Sequence, residues 1–150
     1  MRAVIQKVTK ASVIINKKIY SQIKEGLLVL LGIEPSDTDE DTEWLSNKIC
    51  NLRIFDDRDG VMNLSIKETS GDIIVVSQFT LHASTKKGNR PSYIKAAKPE
   101  IAFPIYQNFV TRLGQNFGKN IKTGEFGAYM QLDFINDGPV TILIDTKNRE

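Results

Sequence analysis

Four side chains that could line a reactive site follow the most β-branched run of the chain. The run is Ile73–Val76, and Ser77, Gln78, Phe79 and Thr80 come directly after it. A buried polar group without a partner costs about 1–3 kcal/mol, so these polar side chains need partners. They either bond to the backbone of a loop or line a ligand site, because ligands bind at the ends of strands in α/β sheets. The spacing alone leaves both interpretations open.

Other catalytic and metal-binding patterns are poorly supported. The chain has a single cysteine, Cys50, and a single histidine, His82, which excludes an internal disulfide and any site built from several cysteines or histidines. Cys50 falls within an amphipathic helical pattern without an electropositive context, so we expect a small buried hydrophobe rather than a nucleophile paired with His82. Asp56, Asp57 and Asp59 lack the calcium-loop spacing and are typical of a solvated turn.

Charge is distributed unevenly along the chain. Six acidic residues and no basic residue lie from Glu34 to Glu43, whereas eight basic residues and only Glu100 lie between His82 and Gly124. A basic segment of this kind suits a nucleic-acid or phosphate partner. An uneven spread of solvated lysines is the alternative explanation.

The apolar periodicity predicts alternating strands and helices. A first hairpin turns at Asn16-Lys17, and the continuous apolar run Leu27–Ile33 is typical of a strand covered on both faces. A helix over 38–52 is expected to begin at a cap on Ser36 or Asp37. We also expect a hairpin of Arg53–Phe55 with Val61–Ile66 and a strand within Asp72–Leu81. Pro99 opens a second helix, which Pro104 kinks or restarts and which ends near Gly118. Two final strands, Tyr129–Ile135 and Val140–Asp145, are expected to be joined by a turn at Asn136–Pro139.

Size and composition indicate one globular domain. The chain has 150 residues, of which 41% are hydrophobic and 25% charged, and a chain of this length buries roughly 68–70% of its unfolded surface. We therefore expect a single α/β domain over 1–150, with a mixed β-sheet, a barrel-like core and two main helices. No apolar run reaches membrane-spanning length and the N-terminus lacks a signal-peptide pattern, so a cytoplasmic protein is expected.

Five segments together resemble, in order and spacing, those of the D-aminoacyl-tRNA deacylases. They are Met1–Val13, Ser77–Leu81, Gly88–Ser92, Gly124–Gln131 and Asn136–Thr141, and the resemblance covers essentially the whole chain. Members of that family are homodimeric cytoplasmic editing enzymes. They hydrolyse the ester that joins a D-amino acid, or glycine, to the 3′ end of tRNA.

The resemblance implies a role for particular residues. Ser77–Thr80 would form the pocket of one subunit, with Met130 in a supporting role. Gly138 and Pro139 would be joined by a cis peptide and reach into the partner's pocket, where they exclude L side chains. No metal, cofactor or protein nucleophile is implied, and the 2′-hydroxyl of the terminal adenosine would assist the reaction. Cis is found at only about 5–6% of X–Pro bonds, so the residues alone could not have shown it.

Lys7 departs from the resemblance, because the family usually has arginine after Ile-Gln, where it helps to orient the Gly-Pro carbonyls. Lysine keeps the positive charge but lacks the planar guanidinium group of arginine, so we expect it to hold the Gly-Pro carbonyls less firmly. Thr80 has no evident base beside it, and we expect a pocket role through its backbone amide. Lys86, Lys87 and Arg90 follow the pocket strand and are expected to contact tRNA phosphates.

Two other functions are compatible with parts of the sequence. A non-catalytic RNA-binding module would present exposed aromatic side chains on strands, whereas Phe103, Phe109 and Phe117 are expected on or near the buried stripe of the second helix. A threonine- or serine-dependent esterase would require a general base that the sequence does not identify.

Overall fold

The computed structural model describes residues 1–149, in which eight β-strands and two α-helices occur. In chain order the elements are β1 (Arg2–Ile15), β2 (Lys18–Ile23), β3 (Gly26–Gly32), α1 (Asp39–Asn51), β4 (Arg53–Asp56), β5 (Met62–Ser65), a 3-10 helix (Ile66–Glu68), β6 (Asp72–Ser77), a second 3-10 helix (Phe79–His82), α2 (Pro99–Phe117), β7 (Lys122–Thr123) and β8 (Gln131–Asp145). Within this range no helix is long and apolar enough to cross a membrane. The predicted α/β class with two main helices is confirmed.

The main sheet is built around β1. One edge of β1 pairs antiparallel with β3 and then with β2, and its other edge pairs antiparallel with β8. From β3 the sheet continues in parallel through β6 to β7. The Ser21 hydroxyl of β2 donates to the Thr123 carbonyl of β7 at 2.5 Å. This contact brings the two ends of the path β2-β1-β3-β6-β7 together, and the sheet is a nearly closed barrel.

Two apolar clusters cover the two faces of β3 and β6. Val29 and Val75 pack with α1 and α2 on the outside of the barrel, while Leu28 and Ile74 pack inside it. Strands buried on both faces read as continuous apolar runs, because every side chain has an apolar neighbour. Fully burying a side chain of this size contributes about 1.5–3 kcal/mol. The prediction that the apolar run of β3 is covered on both faces is confirmed.

Helix α1 is capped at Thr38, one residue after Asp37 and two after Ser36, the two predicted caps. Its N-cap is Thr38, whose backbone N–H donates to Asp41 Oδ2 at 2.9 Å in a capping box. The prediction of Ser36 or Asp37 as the cap is wrong. The Asp37 carboxylate instead lies against the buried α-amino group of Met1 and accepts from the amide of Glu34 at 2.9 Å.

Helix α2 runs without interruption through Pro104, so the predicted restart is wrong. A proline inside a helix removes one N–H, here the one that would have bonded to the carbonyl of Glu100. Pro104 is exposed and close to the helix N-terminus, where that loss affects a single solvated carbonyl. The helix ends at Gly118, which caps it with a φ of 79°.

Strand β8 is one strand rather than the two predicted strands joined by a turn. Both of its halves pair with the same edge of β1, with Thr141 opposite Gln6 and Asn136 opposite Val8. The four residues 137–140 therefore stand opposite Lys7 alone and bulge out of the strand. We call them the Gly-Pro bulge, and its Gly138–Pro139 peptide is cis.

Candidate active site

A cavity of about 580 Å³ opens where the parallel strands β3 and β6 end. Parallel strands present their carboxyl ends at the same edge of a sheet, which is where ligands bind in open α/β sheets. Three residues of the Ser77–Thr80 segment line this cavity, namely Ser77 at the end of β6 and Gln78 and Phe79 after it, whereas the Thr80 side chain does not. Its other walls come from β3, the segment before α2, α2 itself and the segment leading into β8; they include Leu31, Tyr93, Ala102, Phe126 and Met130.

The 3-10 helix after β6 is held against the end of β3. The amide of Gln78 donates to the Leu31 carbonyl at 2.7 Å, which continues the pairing of the two strands by one residue. Gly32 allows this approach, because a Cβ there would lie 3.0 Å from both the Gln78 carbonyl oxygen and His82 Cδ2. The side chain of Gln78 donates to Thr80 Oγ1. The backbone of this segment is therefore fixed by β3 rather than by the ligand.

Two backbone amides of this segment stay unused. Within residues 1–149, neither the N–H of Phe79 nor that of Thr80 donates a hydrogen bond, although the neighbouring amides of Gln78 and Leu81 do. They are the first two N–H groups of the 3-10 helix, so no preceding turn supplies a carbonyl. Adjacent N–H groups held by a rigid strand end can stabilise an oxyanion that develops beside them.

A group of aromatic side chains packs around Phe126, which lines the cavity. The buried hydroxyl of Tyr106 donates to the Val75 carbonyl at 2.9 Å, and the Tyr106 ring lies 5.5 Å from that of Phe126. Burial raises the pKa of the Tyr106 phenol, so it stays a neutral donor. Phe126 also contacts Phe103 at 5.2 Å, but Phe103 is exposed. Phe109 and Phe117 are buried on the stripe as predicted, whereas Phe103 lies at its margin against Phe126 and is only partly covered.

Met130 reaches the cavity because Gly124 lies beneath it. A Cβ on Gly124 would lie 2.5 Å from Met130 Sδ, which the thioether could not accommodate without moving. Gly124 and Met130 both belong to the segment that the sequence singled out before β8. Their contact gives Gly124 a role in packing beneath Met130.

The mouth of the cavity is bordered by a basic loop. The Phe79 and Tyr93 rings meet edge to face at 5.1 Å. A two-residue bridge between Ser84 and Ser92, with N–H···O distances of 2.8 and 2.9 Å, closes the base of the loop. The residues expected to contact phosphates, which are Lys86, Lys87 and Arg90, all lie exposed within it.

Lys7 lies beneath the Gly-Pro bulge with only 6% of its surface exposed. Its Nζ lies 3.0 Å from Asp56 Oδ2 and 3.2 Å from Asp137 Oδ2. Burial acts to lower the pKa of Lys7, but the hydrogen bonds and charges of the two aspartates outweigh it and raise the pKa above its usual range. Asp57 and Asp59 lie in the predicted solvated turn, and Asp56, the last residue of β4 before it, is about half exposed but also pairs with the buried Lys7.

The Gly-Pro bulge does not line the cavity of its own chain. Gly138 and Pro139 are exposed and are absent from the walls described above. Gly138 has a φ of 122°, which an L side chain rarely adopts, and a Cβ there would lie 2.7 Å from Val140 Cγ2. The structure therefore separates the two groups of residues that the resemblance assigns to one site.

Cys50 and His82 do not form a catalytic pair. Cys50 is fully buried between α1 and α2, with its Sγ 4.0 Å from the Leu113 carbonyl, and burial raises the pKa of its thiol to about 11. The prediction that Cys50 packs as a buried hydrophobe is confirmed. His82 is buried in the 3-10 helix, and its Nε2 has no hydrogen-bond partner in the described part of the chain. Residues 1–149 contain no group of three or more His, Cys, Asp or Glu side chains that could hold a metal ion.

A family model described as D-Tyr-tRNA(Tyr) deacylase matches residues 4–145. The chain belongs to this family of enzymes. Proteins named D-aminoacyl-tRNA deacylase from Flavobacterium psychrophilum and Bacteroides fragilis are 63% and 62% identical to it over 150 residues, with complete coverage of both chains. The resemblance recognised in the sequence is thereby confirmed.

Solved structures share the fold of this deacylase family member. One, titled c-Myc DNA Unwinding Element Binding Protein, is 42% identical with a TM-score of 0.92 and covers 97% of this chain and 98% of its own. Another, titled as a probable eukaryotic D-amino acid tRNA deacylase, has a TM-score of 0.81 at 19% identity and covers 95% of this chain and 97% of its own. At that identity the second likeness shows the fold alone.

Sequence reasoning missed the two partners of Lys7 and the free amide of Phe79. One signal for the partners was available, because Lys7 follows Ala3 and Ile5 in the buried alternation of β1. A lysine in that phase needs an acidic neighbour. The free amide of Phe79 had no sequence signal, since it depends on where β6 ends and the 3-10 helix begins.

Proposed function

We propose that this chain hydrolyses the ester between a D-amino acid and the 3′ end of tRNA, releasing the free amino acid and intact tRNA. Family membership supports this function. The observation that carries it is the pair of unused amides, Phe79 and Thr80, beside a largely apolar cavity at the ends of β3 and β6. Such a site can hold an aminoacyl group and stabilise the oxyanion formed when its ester is attacked.

The reaction proceeds without a side-chain nucleophile. Water adds to the ester carbonyl, and the carbonyl oxygen becomes an oxyanion that accepts from the Phe79 and Thr80 amides. The C–O bond to the ribose then breaks as the proton lost by the water passes to the departing 3′ oxygen. The 2′-hydroxyl of the terminal adenosine assists. The Thr80 hydroxyl accepts from Gln78, and within residues 1–149 it bonds to no histidine or carboxylate that could serve as a base. An aminoacyl ester is already activated, so positioning and oxyanion stabilisation suffice.

The active form is a homodimer in which the Gly-Pro bulge of one subunit enters the cavity of the other. Gly138 and Pro139 are exposed and lie outside their own cavity, as a cross-subunit role requires. Among the described strands β8 pairs with β1 alone, so its outer edge is free along its length. Ile135 and Leu143 on β8 are exposed. A free strand edge with exposed apolar side chains suits a symmetric interface.

Chirality is decided by exclusion at the bulge. The carbonyls of Gly138 and Pro139 accept hydrogen bonds from the substrate ammonium, which places the substrate Cα against their backbone. An L side chain would collide with that backbone, whereas a D side chain points away from it. Glycine has no side chain to exclude, so glycyl-tRNA is also a substrate. Lys7 holds the bulge through Asp137.

The basic loop supplies the contacts to the nucleic acid. Lys86, Lys87 and Arg90 are exposed beside the cavity mouth and contact tRNA phosphates there. Editing of this kind takes place where aminoacyl-tRNA is used, which is the cytoplasm.

The direct test is hydrolysis of D- and L-tyrosyl-tRNA by the purified chain, each with and without a chelator. We expect cleavage of the D-ester, sparing of the L-ester and no effect of the chelator. Equal cleavage of both esters would contradict exclusion at the bulge. Activity that the chelator abolishes and zinc restores would contradict the metal-free mechanism.

The cross-subunit site has its own test, which uses mixed dimers of two impaired variants. Phe79→Pro removes an amide of the cavity and Gly138→Ala distorts the bulge. If the bulge serves the partner's cavity, each mixed dimer rebuilds one intact site from the unaltered halves, and a 1:1 mixture recovers about a quarter of wild-type activity. If the bulge serves its own cavity, no intact site forms and the mixture shows only the average residual activity of the two variants.

A second candidate function is nucleic-acid binding without catalysis. The exposed rings of Phe79 and Tyr93 favour it, since it requires aromatic side chains available for base stacking. The same hydrolysis assay separates the two functions, because a binding module would retain tRNA without cleaving either ester.

A further inference from the structure

Three exposed apolar side chains adjoin the mouth of the cavity. Phe79 is 56% exposed, Tyr93 is 40% exposed and Ile94 is 86% exposed. The rings of Phe79 and Tyr93 contact one another edge to face. This contact fixes their positions, so a ligand can bind to their exposed surfaces without first ordering the two side chains. Ile94 follows Tyr93 directly and does not line the cavity. Apolar side chains concentrated beside a site and left uncovered mark a place where a ligand extends beyond the cavity.

The same segment is strongly basic. From residue 83 to residue 99 it contains no acidic side chain, and in the described part of the chain none of its five cations forms an ion pair with a carboxylate. These cations are Lys86, Lys87, Arg90, Lys95 and Lys98. Elsewhere in the described part of the chain some cations are paired, such as Lys7, Lys10 and Lys147, and others, such as Lys17 and Lys18, are not. Unpaired cations beside exposed rings are complementary to a chain that carries both phosphates and unstacked bases.

We propose that this mouth surface, formed by Phe79, Tyr93, Ile94, Lys95 and Lys98, binds the unpaired nucleotides that precede the terminal adenosine of tRNA. Their bases stack against Tyr93 and Ile94, and their phosphates lie against Lys95 and Lys98. The identity of the RNA rests on the proposed function. The inference adds that the enzyme recognises a single-stranded 3′ end, not merely the aminoacyl group.

Single-stranded RNA fits this surface better than a duplex does. Bases in a duplex are stacked on one another and present only their edges, so their faces cannot reach Tyr93 or Ile94. Unpaired bases can turn out and stack on apolar side chains, independently of sequence, because every base has a π-face. The bridge between Ser84 and Ser92 holds the basic loop beside this path.

The test compares full-length tRNA with tRNA trimmed of its unpaired 3′ nucleotides, both uncharged, in equilibrium binding at several salt concentrations. Wild-type protein should bind the full-length tRNA about tenfold or more tightly. Ile94→Ser and the double variant Lys95→Gln/Lys98→Gln should abolish most of this difference. In the double variant the slope of log affinity against log salt should also flatten by about 0.7 for each phosphate that the protein no longer neutralises.

Matched controls remove the same groups away from the cavity. Lys17→Gln/Lys18→Gln removes two exposed cations, one in the β1–β2 turn and one at the start of β2, and Ile19→Ser removes an exposed aliphatic side chain of β2. Both should leave the full-length to trimmed ratio at the wild-type value. Equal affinity of wild type for the two RNAs, or an unchanged ratio in both mouth-surface variants, would overturn the inference.

A second measurement separates this inference from the proposed function. The kcat/KM of wild type and variants is compared on D-tyrosyl-tRNA and on the D-tyrosyl ester of adenosine alone, and the ratio of the two should fall about fivefold to tenfold in Ile94→Ser. Failure of wild type to cleave either ester would refute the proposed function, while end-dependent binding would still support the mouth surface. Cleavage of both esters with an unchanged ratio in Ile94→Ser would refute the mouth surface alone.

Discussion

Lys7 Nζ lies 3.2 Å from Asp137 Oδ2, so a cation buried in β1 holds the residue that precedes Gly138. The same ammonium bonds to Asp56 Oδ2 at 3.0 Å in β4. The Gly-Pro bulge is thereby tied to two strands of the subunit that carries it. The bulge depends on this support, because its own strand pairing with β1 is interrupted there.

Replacing Lys7 should impair the bulge before it affects the fold. Lys7→Met leaves Asp56 and Asp137 as two unneutralised carboxylates, and both are about half exposed. We expect a loss of about 1–2 kcal/mol in the free energy of unfolding, less than for a fully buried pair. The kcat/KM for the D-ester should fall by a larger factor than the loss of folded protein accounts for. Urea unfolding and kcat/KM measured together check this, with Lys7→Arg as the control that keeps charge and activity.

The stability that Lys7 contributes should be lost only at high pH. Because the pKa of Lys7 is raised in the folded chain, the contribution is fully present below the unfolded value of about 10.4 and disappears as the pH rises through the higher folded value. Thermal unfolding of wild type and Lys7→Met from pH 8 to 11.5 tests this. The difference in Tm should be constant at first and then shrink. A difference that shrinks between pH 6 and 8 would show that another group is responsible.

Removing one amide of the cavity should be far more damaging than removing its side chain. Phe79→Pro eliminates the Phe79 N–H at the first position of the 3-10 helix, where proline is tolerated, and Gln78 before it is already non-helical. We expect kcat to fall by about 10²–10³. Phe79→Ala keeps the amide and loses the ring, so its kcat should change little. Similar kcat values for the two variants would place the oxyanion elsewhere.

Truncation of the hydroxyls should leave appreciable activity. Ser77→Ala and Thr80→Ala remove the only hydroxyl groups of the Ser77–Thr80 segment but keep its backbone. Thr80→Ala also deprives the Gln78 side chain of its acceptor, so a loss within about tenfold is expected, whereas loss of a covalent nucleophile costs several orders of magnitude. Single-turnover kinetics with acid trapping give the readout. An acyl-enzyme trapped on Thr80 would establish the esterase alternative.

Gly138→Ala should cost both stability and activity. The new Cβ would meet Val140 at 2.7 Å, with a φ of 122° that alanine disfavours, and a strained residue of this kind costs about 1–3 kcal/mol. Cleavage of D-tyrosyl-tRNA should fall by about tenfold or more. Gly118→Ala is the control, because Gly118 also has a positive φ but has nothing within 4 Å of a Cβ. It should lower stability without changing kcat/KM, and equal activity losses in both variants would remove the special role of the bulge.

Periodicity was sufficient for most of the elements. The hairpin at Asn16-Lys17, the doubly covered β3 and the helix opened by Pro99 follow from local patterns that the tertiary structure does not override. The single strand β8 could not be predicted in this way. Asn-Asp-Gly-Pro has the composition of a hairpin turn, and only the pairing of both flanking segments with β1 makes it a bulge.

The site was predictable in position but not in detail. Polar residues after a buried run indicated the strand end where the cavity lies, since that inference needs only the order of residues along one strand. Asp56 and Asp137, the partners of Lys7, lie 49 and 130 residues further along the sequence. No local sequence pattern connects them to Lys7. The exposure of Phe103 depends on how α2 packs against Phe126, which its helical spacing does not determine.

The position of Pro139 also bears on how this chain avoids aggregation. A free edge as long as β8 could recruit strands from other chains without limit. Proline has no N–H to donate, and the bulge leaves one free stretch on each side, residues 131–136 and 141–145, in place of a single ladder. An incoming strand that pairs with one stretch would be out of register with the other. The interruption therefore discourages open-ended fibre growth, while a partner shaped to receive the bulge can still dock.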